Sequence, residues 1–355
     1  MRIVVLAGGL SMERNVSLSS GNKICRALRA RGHQAILVDM FMGFEDYDGK
    51  LEDVFDAPDG FCGDYSVAEA EPDLAAVRAS RKDQSKSLFG PGVLDVCAKA
   101  DVVFLALHGT CGEDGRVQAA FDLLGIPYTG SGVLAAAVTM DKAASKRVFV
   151  AEGISTPRSH TYHRYEMKRD LAAEIAQGFS LPVVVKAASQ GSSIGVYIVE
   201  TKEALADALK EAFSYNDEVL IEEFIRGKEL TVAVWGNEEK KEAFPIIEIT
   251  TASGRYDYES KYTKGASTHI IPARVSDEKT KEIQALAIKT FTACGCKGVA
   301  RVDMMLSEDG TPYVIEVNSV PGMTELSLVP DAGRAMGVEF PELCERILEM
   351  AGFQK

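Results

Sequence analysis

The sequence predicts an α/β protein, α+β in part, that begins with an open and largely parallel sheet. The first observation is a strand, a helix and a strand in the apolar run RIVVLAGG, the helical SLSSGNKICRALRARG and the apolar run AILVDM. The second is a change from the helix MDKAASKRVFVAEG onward, where glycine-containing loops join apolar strands as in antiparallel pairs. We therefore expect an N-terminal domain at residues 1–130, a central lobe at 131–226 and a C-terminal lobe at 227–355.

Composition and charge limit the class of function. With 355 residues, 46% of them hydrophobic, the chain is long enough for about two or three domains with substantial cores. Its 39 basic and 52 acidic residues give a formal charge of -13, which disfavours nonspecific binding to nucleic acid or an anionic membrane. No apolar run approaches the ~20 residues that span a bilayer, and no signal-peptide pattern follows the N terminus. We expect a cytoplasmic protein that acts on small molecules and binds neither nucleic acid nor membrane.

The loops of the N-terminal sheet carry candidate functional residues. In such sheets, functional groups gather beyond the carboxyl ends of the strands. Gly8, Ser11 and Glu13 follow the first strand, and His108 follows the strand DVVFLAL. Part of the site is therefore expected here. From spacing alone, Glu13 is better interpreted as a solvated acid in the first helical turn, and His108 is equally ambiguous.

A glycine-rich loop is a candidate phosphate site. In LPVVVKAASQGSSIGVYIV a strand, a glycine-serine loop and a second strand follow one another. A P-loop needs GxxxxGK[ST] between a strand and a helix, whereas GSSIG joins two strands. Phosphate would then meet a hairpin tip that contains Gly191, Ser192 and Ser193, with Lys186 and Lys142 near enough to neutralise its oxygens. An ordinary turn is an equally good interpretation.

The segment between the two later lobes is a candidate purine site. EVLIEEFIRGKELTVAVWG contains a strand, a break after Ile225 and another strand. Apolar Phe224 and Ile225 are flanked by the acids Glu222 and Glu229. Such a connection could hold a purine and a ribose.

The stretch ARVDMMLSEDGTPYVIEVNSVPG predicts a β-hairpin with acids set into apolar strands. We take Asp309 and Gly310 as the two turn residues of a type I′ hairpin. Counting outward then pairs Met304 with Ile315, Asp303 with Glu316, and Arg301 with Asn318. The four polar side chains share one face, and the other face is formed by Val302, Met304, Ile315 and Val317.

This hairpin predicts a cation site. Carboxylates directly opposite each other on a sheet repel, and a cation between them is the simplest compensation. The oxygen ligands Asp303, Glu316 and Asn318 favour magnesium or manganese over zinc. The alternative is a solvated face on which Arg301 only neutralises the acids.

Eight motifs, in order, resemble those of the ATP-grasp superfamily and, more narrowly, the D-alanine-D-alanine ligases. They are GGLSMERNVSLSSG, LHGTCGEDG, YTGSG, MDK, GSSIG, YDYESKY, ARVDMML and EVNSVPGMTELSLVP, and together they span essentially the whole chain. The resemblance implies an N-terminal substrate-binding domain followed by a two-lobed ATP-grasp fold, with ATP between the lobes. It implies that ATP phosphorylates the carboxylate of one D-alanine, which the amine of a second attacks. D-alanyl-D-alanine for peptidoglycan synthesis, ADP and phosphate would result, in a homodimeric enzyme.

The resemblance also implies roles for individual residues. ATP would be bound by Lys142, Lys186, Gly191, Ser192, Ser193, Glu222, Glu223, Phe224, Ile225, Glu229 and Lys261. Two magnesium ions, or manganese, would be held by Asp303, Glu316 and Asn318. Catalytic roles are implied for Glu13, Ser192, Tyr262, Arg301, Gly322 and Ser327. D-Alanine would be bound by Glu13, His108, Arg301, Gly322, Ser327 and Leu328.

The polar stretch at residues 254–272 is expected to form a lid that carries Lys261 toward phosphate. Tyr262 within it favours an amine nucleophile, because the ester-forming relatives that use D-lactate have an apolar residue there. Two positions depart from the family pattern. Leu326 stands where a histidine is common, and Glu223 stands where a lysine is frequent.

Other functions remain as alternatives. A related ligase would use D-serine or D-lactate as its second substrate. A dehydrogenase is indicated by the opening strand-helix-strand unit and Asp39, but the GxGxxG fingerprint is missing after the first strand. A noncatalytic nucleotide-binding module would be expected to have lost part of the polar set on the hairpin, and all of that set is present.

Overall fold

The computed structural model describes residues 1–65, 72–110, 112–251, 265–324 and 327–351. These residues form sheets of three, four and six strands, which follow one another along the chain. The predicted order of a parallel sheet and then antiparallel sheets is confirmed. None of the described helices combines the length and the apolar character needed to cross a membrane.

The strands and helices are numbered in chain order. The strands are β1 (Arg2–Ala7), β2 (Gln34–Asp39), β3 (Val102–Leu105), β4 (Ser159–His163), β5 (Val183–Ala187), β6 (Val196–Val199), β7 (Glu218–Glu223), β8 (Gly227–Gly236), β9 (Lys241–Ala243), β10 (Ile247–Thr251), β11 (Ser267–Ile270), β12 (Gly298–Ser307) and β13 (Pro312–Asn318). The helices are α1 (Arg14–Ala30), α2 (Leu74–Ser80), α3 (Val93–Cys97), α4 (Arg116–Leu124), α5 (Val133–Met140), α6 (Lys142–Ala151), α7 (Leu171–Gly178), α8 (Lys202–Tyr215), α9 (Asp277–Ala293), α10 (Leu328–Ala335) and α11 (Phe340–Glu349). Short 3₁₀ turns lie at Val54–Asp56 and Arg164–Lys168.

The N-terminal sheet has the strand order β2-β1-β3, with all strands parallel. Alternate residues of β1 enter two different cores, because both faces of a parallel sheet are covered. Helix α1 packs closely on β1: a Cβ atom at Gly21 would lie 2.6 Å from the Cβ of Ala7. This close packing fixes the start of α1, and with it Glu13, beside the end of β1.

The central sheet has the order β4-β7-β5-β6 and is antiparallel. Side chains alternate across β5, because successive residues of a strand point to opposite faces. Val183 and Val185 enter the core beneath α7 and α8. Val184 and Lys186 face the other way, toward the C-terminal sheet.

The C-terminal sheet has the main order β11-β10-β8-β12-β13, and β9 pairs with β8. Helix α9 covers one face, where Ile283 and Phe291 share a core with Val302 and Met304. The opposite face carries Asp303, which lies toward the central sheet. The site therefore lies between the polar faces of two antiparallel sheets.

The predicted type I′ turn of the β12–β13 hairpin is wrong. Its loop has three residues, 308–310, because the amide of Ser307 donates to the carbonyl of Thr311 at 3.0 Å. Within the loop only Gly310 has positive φ, at 85°, whereas a type I′ turn needs positive φ at two residues. Asp309 instead accepts a hydrogen bond from the amide of Thr311 at 3.0 Å, which stabilises the longer loop.

A β-bulge restores the predicted register beyond the turn. Met304 pairs with Val314, not with Ile315 as predicted. The pairing register shifts by one residue between Met304 and Asp303. Val314 is accordingly buried and Ile315 is half-buried. The predicted pairs Asp303 with Glu316 and Arg301 with Asn318 are confirmed, because the added loop residue and the bulge cancel.

Candidate active site

Two adjoining pockets contain every described residue to which the family resemblance assigns a role, whereas the candidates Gly8 and Ser11 line neither pocket. The junction pocket is lined by Glu13, His108, Lys142, Gly191, Ser192, Arg301, Glu316, Asn318, Gly322, Ser327 and Leu328, among others. The interlobe pocket, between the two antiparallel sheets, is lined by Lys142, Lys186, Ser193, Glu222, Glu223, Phe224, Ile225, Glu229, Asp303 and Glu316, among others. Lys142 and Glu316 line both pockets, so these two residues mark where the pockets meet. Lys261, Tyr262 and Leu326 lie outside the described residues.

The tip of the β5–β6 hairpin reaches the N-terminal domain at Glu13. The Ser192 hydroxyl donates to Oε1 of Glu13, which is 8% exposed. A Cβ atom at Gly191 would lie 2.6 Å from Oε2 of the same carboxylate, so this contact requires glycine. Ser192 and Ser193 adopt φ values of 48° and 61°, an uncommon conformation for residues with a side chain. The solvated interpretation of Glu13 is therefore wrong, because the hairpin covers its carboxylate.

His108 lies on the junction pocket with a carboxylate that the sequence analysis missed. Its Nδ1 is 3.9 Å from Oε1 of Glu113, and its Nε2 is 3.3 Å from the hydroxyl of Ser20. Burial by itself lowers the pKa of His108, but Glu113 and the charge of Glu13 outweigh it and raise that pKa above its ordinary value. Glu113 follows in the same loop, LHGTCGEDG, and this shared loop is the signal that could have identified it.

A buried group of two lysines and one glutamate forms the base of the interlobe pocket. The carboxylate of Glu222 lies 2.6 Å from Nζ of Lys186 and 2.6 Å from Nζ of Lys146. Lys186 is 6% exposed, Lys146 4% and Glu222 1%. Burial acts to raise the pKa of Glu222, but the two lysines outweigh it and lower that pKa. This group therefore contains two cations and one anion, and its Lys186 lines the pocket, where it can contact an anionic ligand.

Lys146 was missed by the sequence analysis, although it lies one helical turn after Lys142 on α6. Lys142 itself donates to the carbonyl of Gln190 at 2.5 Å and lies 3.4 Å from Oε2 of Glu316. Because Gln190 precedes the glycine-rich tip, Lys142 connects that hairpin to β13. The i to i+4 spacing on one helix face was the available signal.

The connection between the antiparallel sheets places Phe224 and Ile225 on the interlobe pocket, as the sequence predicts. Glu223, the residue that departs from the family pattern, accepts a hydrogen bond from the amide of Arg158 at 2.8 Å. Its carboxylate therefore helps to fix the start of β4 against β7. Glu229 also lines the interlobe pocket.

The acids of the β12–β13 hairpin each lie beside a cation. Arg301 donates to both oxygens of Asp303, at 2.8 and 2.7 Å, and the hydroxyl of Thr231 donates to Asp303 at 2.6 Å. Glu316 lies beside Lys142. In the described ranges, no group of three or more His, Cys, Asp and Glu residues is arranged to hold a metal. In this structure Arg301 therefore neutralises Asp303, as the alternative to a cation site proposes.

The same hairpin nevertheless offers the donor chemistry of a hard cation. Asp303 and Glu316 lie directly opposite each other, and Asn318 lies on the same strand as Glu316. Two carboxylates and an amide supply oxygen ligands alone, a set that fits magnesium or manganese.

Helix α10 presents its N terminus to the junction pocket. Ser327 is its N-cap residue, and both Ser327 and Leu328 line the pocket. The hydroxyl of Ser327 accepts from the amide of Thr324 at 2.9 Å, and a Cβ atom at Gly322 would lie 2.8 Å from it. The exposed N–H groups at a helix start favour a bound anion, so this end of the pocket suits a carboxylate.

The parallel-sheet domain and the two antiparallel sheets with a cleft between them define the ATP-grasp class. A family model described as D-ala D-ala ligase N-terminus matches residues 2–131, and one described as D-ala D-ala ligase C-terminus matches residues 149–349. The chain belongs to the D-alanine-D-alanine ligase family.

Individual relatives cover nearly the whole chain. The D-alanine-D-alanine ligase of Pediococcus pentosaceus is 43% identical over 350 residues, which are 98% of this chain and 97% of that protein. The solved D-alanine-D-alanine ligase of Bacillus anthracis complexed with ATP is 29% identical, with a TM-score of 0.73 over 99% of this chain and 97% of its own. The VanG D-Ala:D-Ser ligase of Enterococcus faecalis is 30% identical, with a TM-score of 0.74 over 98% of each chain.

Proposed function

We propose that this protein is an ATP-dependent ligase that joins two D-alanine molecules through a D-alanyl phosphate and releases D-alanyl-D-alanine, ADP and phosphate. The observation that carries the proposal is the meeting of the interlobe pocket, which contains Lys142 and Lys186, with the junction pocket at Lys142 and Glu316. ATP in the interlobe pocket would direct its phosphates toward that boundary, where a carboxylate in the junction pocket can receive one. The family membership supports the same reaction.

ATP binding draws on three features of the interlobe pocket. Phe224 and Ile225 offer apolar surface to the purine, and Glu229 offers a carboxylate to the ribose hydroxyls. Lys142 and Lys186 bring positive charge to the phosphates, as phosphoryl transfer requires. The amides and hydroxyls of the glycine-serine tip would close over them, and Lys261 would approach from the lid.

Asp303, Glu316 and Asn318 would hold two magnesium ions, with manganese as a substitute. When bound, these ions screen the repulsion between the nucleotide phosphates and the attacking carboxylate and align the two. The acids facing each other on β12 and β13 support this assignment.

The junction pocket would hold both amino acids. Glu13 would bind the ammonium group of the first D-alanine, with His108 beside it, while Arg301 and the amide of Gly322 would stabilise the oxyanion that forms on its carbonyl oxygen when the second amine attacks the carbonyl carbon. Ser327 and the amide of Leu328 receive the carboxylate of the second D-alanine. Tyr262, hydrogen-bonded with Glu13 and Ser192, would hold the lid closed, and closure excludes water from the acyl phosphate.

The second substrate is tested by ADP release with D-alanine alone and with D-serine or D-lactate added. The likeness to a D-Ala:D-Ser ligase makes D-serine the relevant competitor. We expect D-alanine alone to sustain ADP release and to give the dipeptide as the main product in each mixture. Release that depends on D-serine or D-lactate would assign the protein to the corresponding relative.

We further propose that the protein acts in the cytoplasm, where peptidoglycan precursors are made. We also propose that it is a homodimer. Each subunit would have three domains, at residues 1–130, 131–226 and 227–355. Each of the three sheets lies within one of these ranges, which supports the division. Leu123, 88% exposed, and Leu134, 77% exposed, lie on contacting helices, and we propose that the subunits of the dimer meet at this face.

A further inference from the structure

A half-buried hydrogen bond links β11 to the helix at the carboxylate end of the junction pocket. Nδ1 of His269, on β11, lies 2.5 Å from Oδ2 of Asp331, on α10. Their side chains are 14% and 15% exposed. The two residues are 62 positions apart in the sequence, so the contact joins elements that local structure does not connect.

Asp331 is the only polar partner of the His269 ring within the described residues. Its carboxylate accepts hydrogen bonds only, so Nδ1 of His269 is the donor. The other ring nitrogen, Nε2, is buried and has no hydrogen-bond partner among the residues that the structure describes. The orientation of the ring therefore depends on Asp331.

Both elements joined by this hydrogen bond adjoin predicted site residues along the chain. Residue 269 follows the segment 252–264, which contains Tyr262, by five positions along the chain. Asp331 lies four residues after Ser327, so both lie on the same side of α10.

The position of Asp331 poses an electrostatic problem for substrate binding. Its negative charge lies in the first turn of α10, beside the N–H groups that would receive a substrate carboxylate. Two anions at one helix terminus compete for the same dipole and repel each other. Arg334 also contacts Asp331, but its side chain is 48% exposed, so water screens its charge. His269, whose side chain is 14% exposed, is the better shielded of the two donors to Asp331.

We propose that His269 is a positioning residue for the second amino acid: it holds Asp331 turned away from the N terminus of α10 and so keeps Ser327 and Leu328 available to the incoming carboxylate. This inference rests on the proposed ligase reaction. It adds to that reaction a residue that touches neither substrate nor nucleotide.

Steady-state kinetics separates this role from a general effect on folding. The Michaelis constants for the first D-alanine, the second D-alanine and ATP are measured in the wild type, His269→Ala and the exposed-pair control Arg334→Ala. We expect His269→Ala to raise the constant for the second D-alanine about tenfold, as the loss of one charge-assisted hydrogen bond implies. The other two constants should change less than about twofold, and Arg334→Ala should match the wild type.

Two further variants test the charge argument. His269→Asn retains an N–H donor near the position of Nδ1 and should recover part of the loss, including where His269→Ala folds poorly. His269→Ala combined with Asp331→Asn removes the uncompensated charge and should return the constant for the second D-alanine to within about threefold of the wild type.

Several results would overturn the inference. They are an unchanged constant for the second D-alanine in His269→Ala, an equal rise in all three constants, or a double variant as impaired as His269→Ala. A wild-type protein that releases no ADP with D-alanine would contradict the proposed function and the inference together. An active wild type with unaltered variants would contradict the inference alone.

Discussion

At the residue scale, the lysines of the site show which contacts a sequence does not predict. Lys142 and Lys186 were predicted because each adjoins a motif, and both line the pockets. Lys146 follows Lys142 in α6, and from the sequence alone it resembles a solvated surface residue. In the structure Glu222, on β7, lies against it. Its role depends on a contact 76 positions away in the sequence, which helical periodicity does not report.

Replacing Lys146 by methionine should therefore destabilise the fold and weaken ATP binding. The change leaves Glu222 buried with one cation in place of two, and breaking a buried ion pair costs about 3 kcal/mol. Urea unfolding at neutral pH measures the free energy of unfolding, and nucleotide titration measures the affinity for ATP. The matched control is Lys146→Met with Glu222→Gln, which removes the stranded charge and should recover much of the stability. A Lys146→Met protein as stable as the wild type would show that Lys186 alone compensates Glu222.

At the element scale, the β12–β13 hairpin shows how far local rules extend. The sequence predicted the pairs at the site, Asp303 with Glu316 and Arg301 with Asn318, and they are present. It did not predict the three-residue loop or the bulge. An Asp-Gly pair occurs in hairpin loops of several lengths, and the hydrogen bonds made by the side chains of the loop favour one length over another. The loop is one residue longer than predicted, and the bulge shifts the register back by one residue. The predicted pairs at the site are therefore correct partly because these two errors cancel.

The predicted lid shows a similar limit. Residues 267–270, within the stretch expected to form it, are strand β11, paired with β10. Polar composition had indicated a loop there, but the β-branched residues Thr268 and Ile270 also suit an edge strand. The part at residues 254–264 lies outside the described residues, and its closure over ATP stays a prediction.

Glu248 makes the C-terminal sheet sensitive to acid. It is buried on β10 and accepts hydrogen bonds from the side chain of Arg274, at 2.5 Å, and from the amide of Arg274, at 3.0 Å. The Arg274 side chain is the main cause that lowers the pKa of Glu248 to about 2. A carboxyl group with a lowered pKa in the folded state stabilises the protein above its ordinary pKa, and that contribution is lost as pH falls through the folded value.

The unfolding free energy of the wild type should therefore fall more steeply than that of Glu248→Gln as pH decreases from about 5 toward 3. At neutral pH the variant should be the less stable of the two, and the difference should narrow in acid. Urea unfolding across this pH range measures both curves. Parallel curves would show that Glu248 is not responsible for the acid sensitivity.

At the scale of the whole molecule, the junction pocket takes residues from all three sheets or their flanking loops. The ordered motifs predicted which residues belong to it, and every described one lies there or in the adjoining interlobe pocket. The sequence analysis did not predict three partners. Lys146 beside Glu222 and Asp331 beside His269 depend on long-range assembly, whereas Glu113 lies in the same loop as His108. Motifs identify individual side chains, whereas their contacts follow from the packing of distant elements.

The proposed homodimer makes a prediction at the same scale. Leu123 on α4 and Leu134 on α5 are 88% and 77% exposed, and their burial between subunits would favour association. The double change Leu123→Glu and Leu134→Glu should convert the dimer to a monomer that keeps its thermal stability, and light scattering measures the mass. A monomeric wild type, or a variant that remains dimeric, would contradict this interface.

The central claim is that ATP phosphorylates a D-alanine carboxylate before the peptide bond forms. With both carboxylate oxygens of D-alanine labelled with ¹⁸O, one labelled oxygen bonds to the γ-phosphorus and leaves with phosphate when the second amine attacks the carbonyl carbon. Mass spectrometry of the products measures this transfer. We expect one ¹⁸O atom in the phosphate for each dipeptide formed and one in its peptide carbonyl. Phosphate without label, alongside a dipeptide made from the labelled substrate, would contradict it.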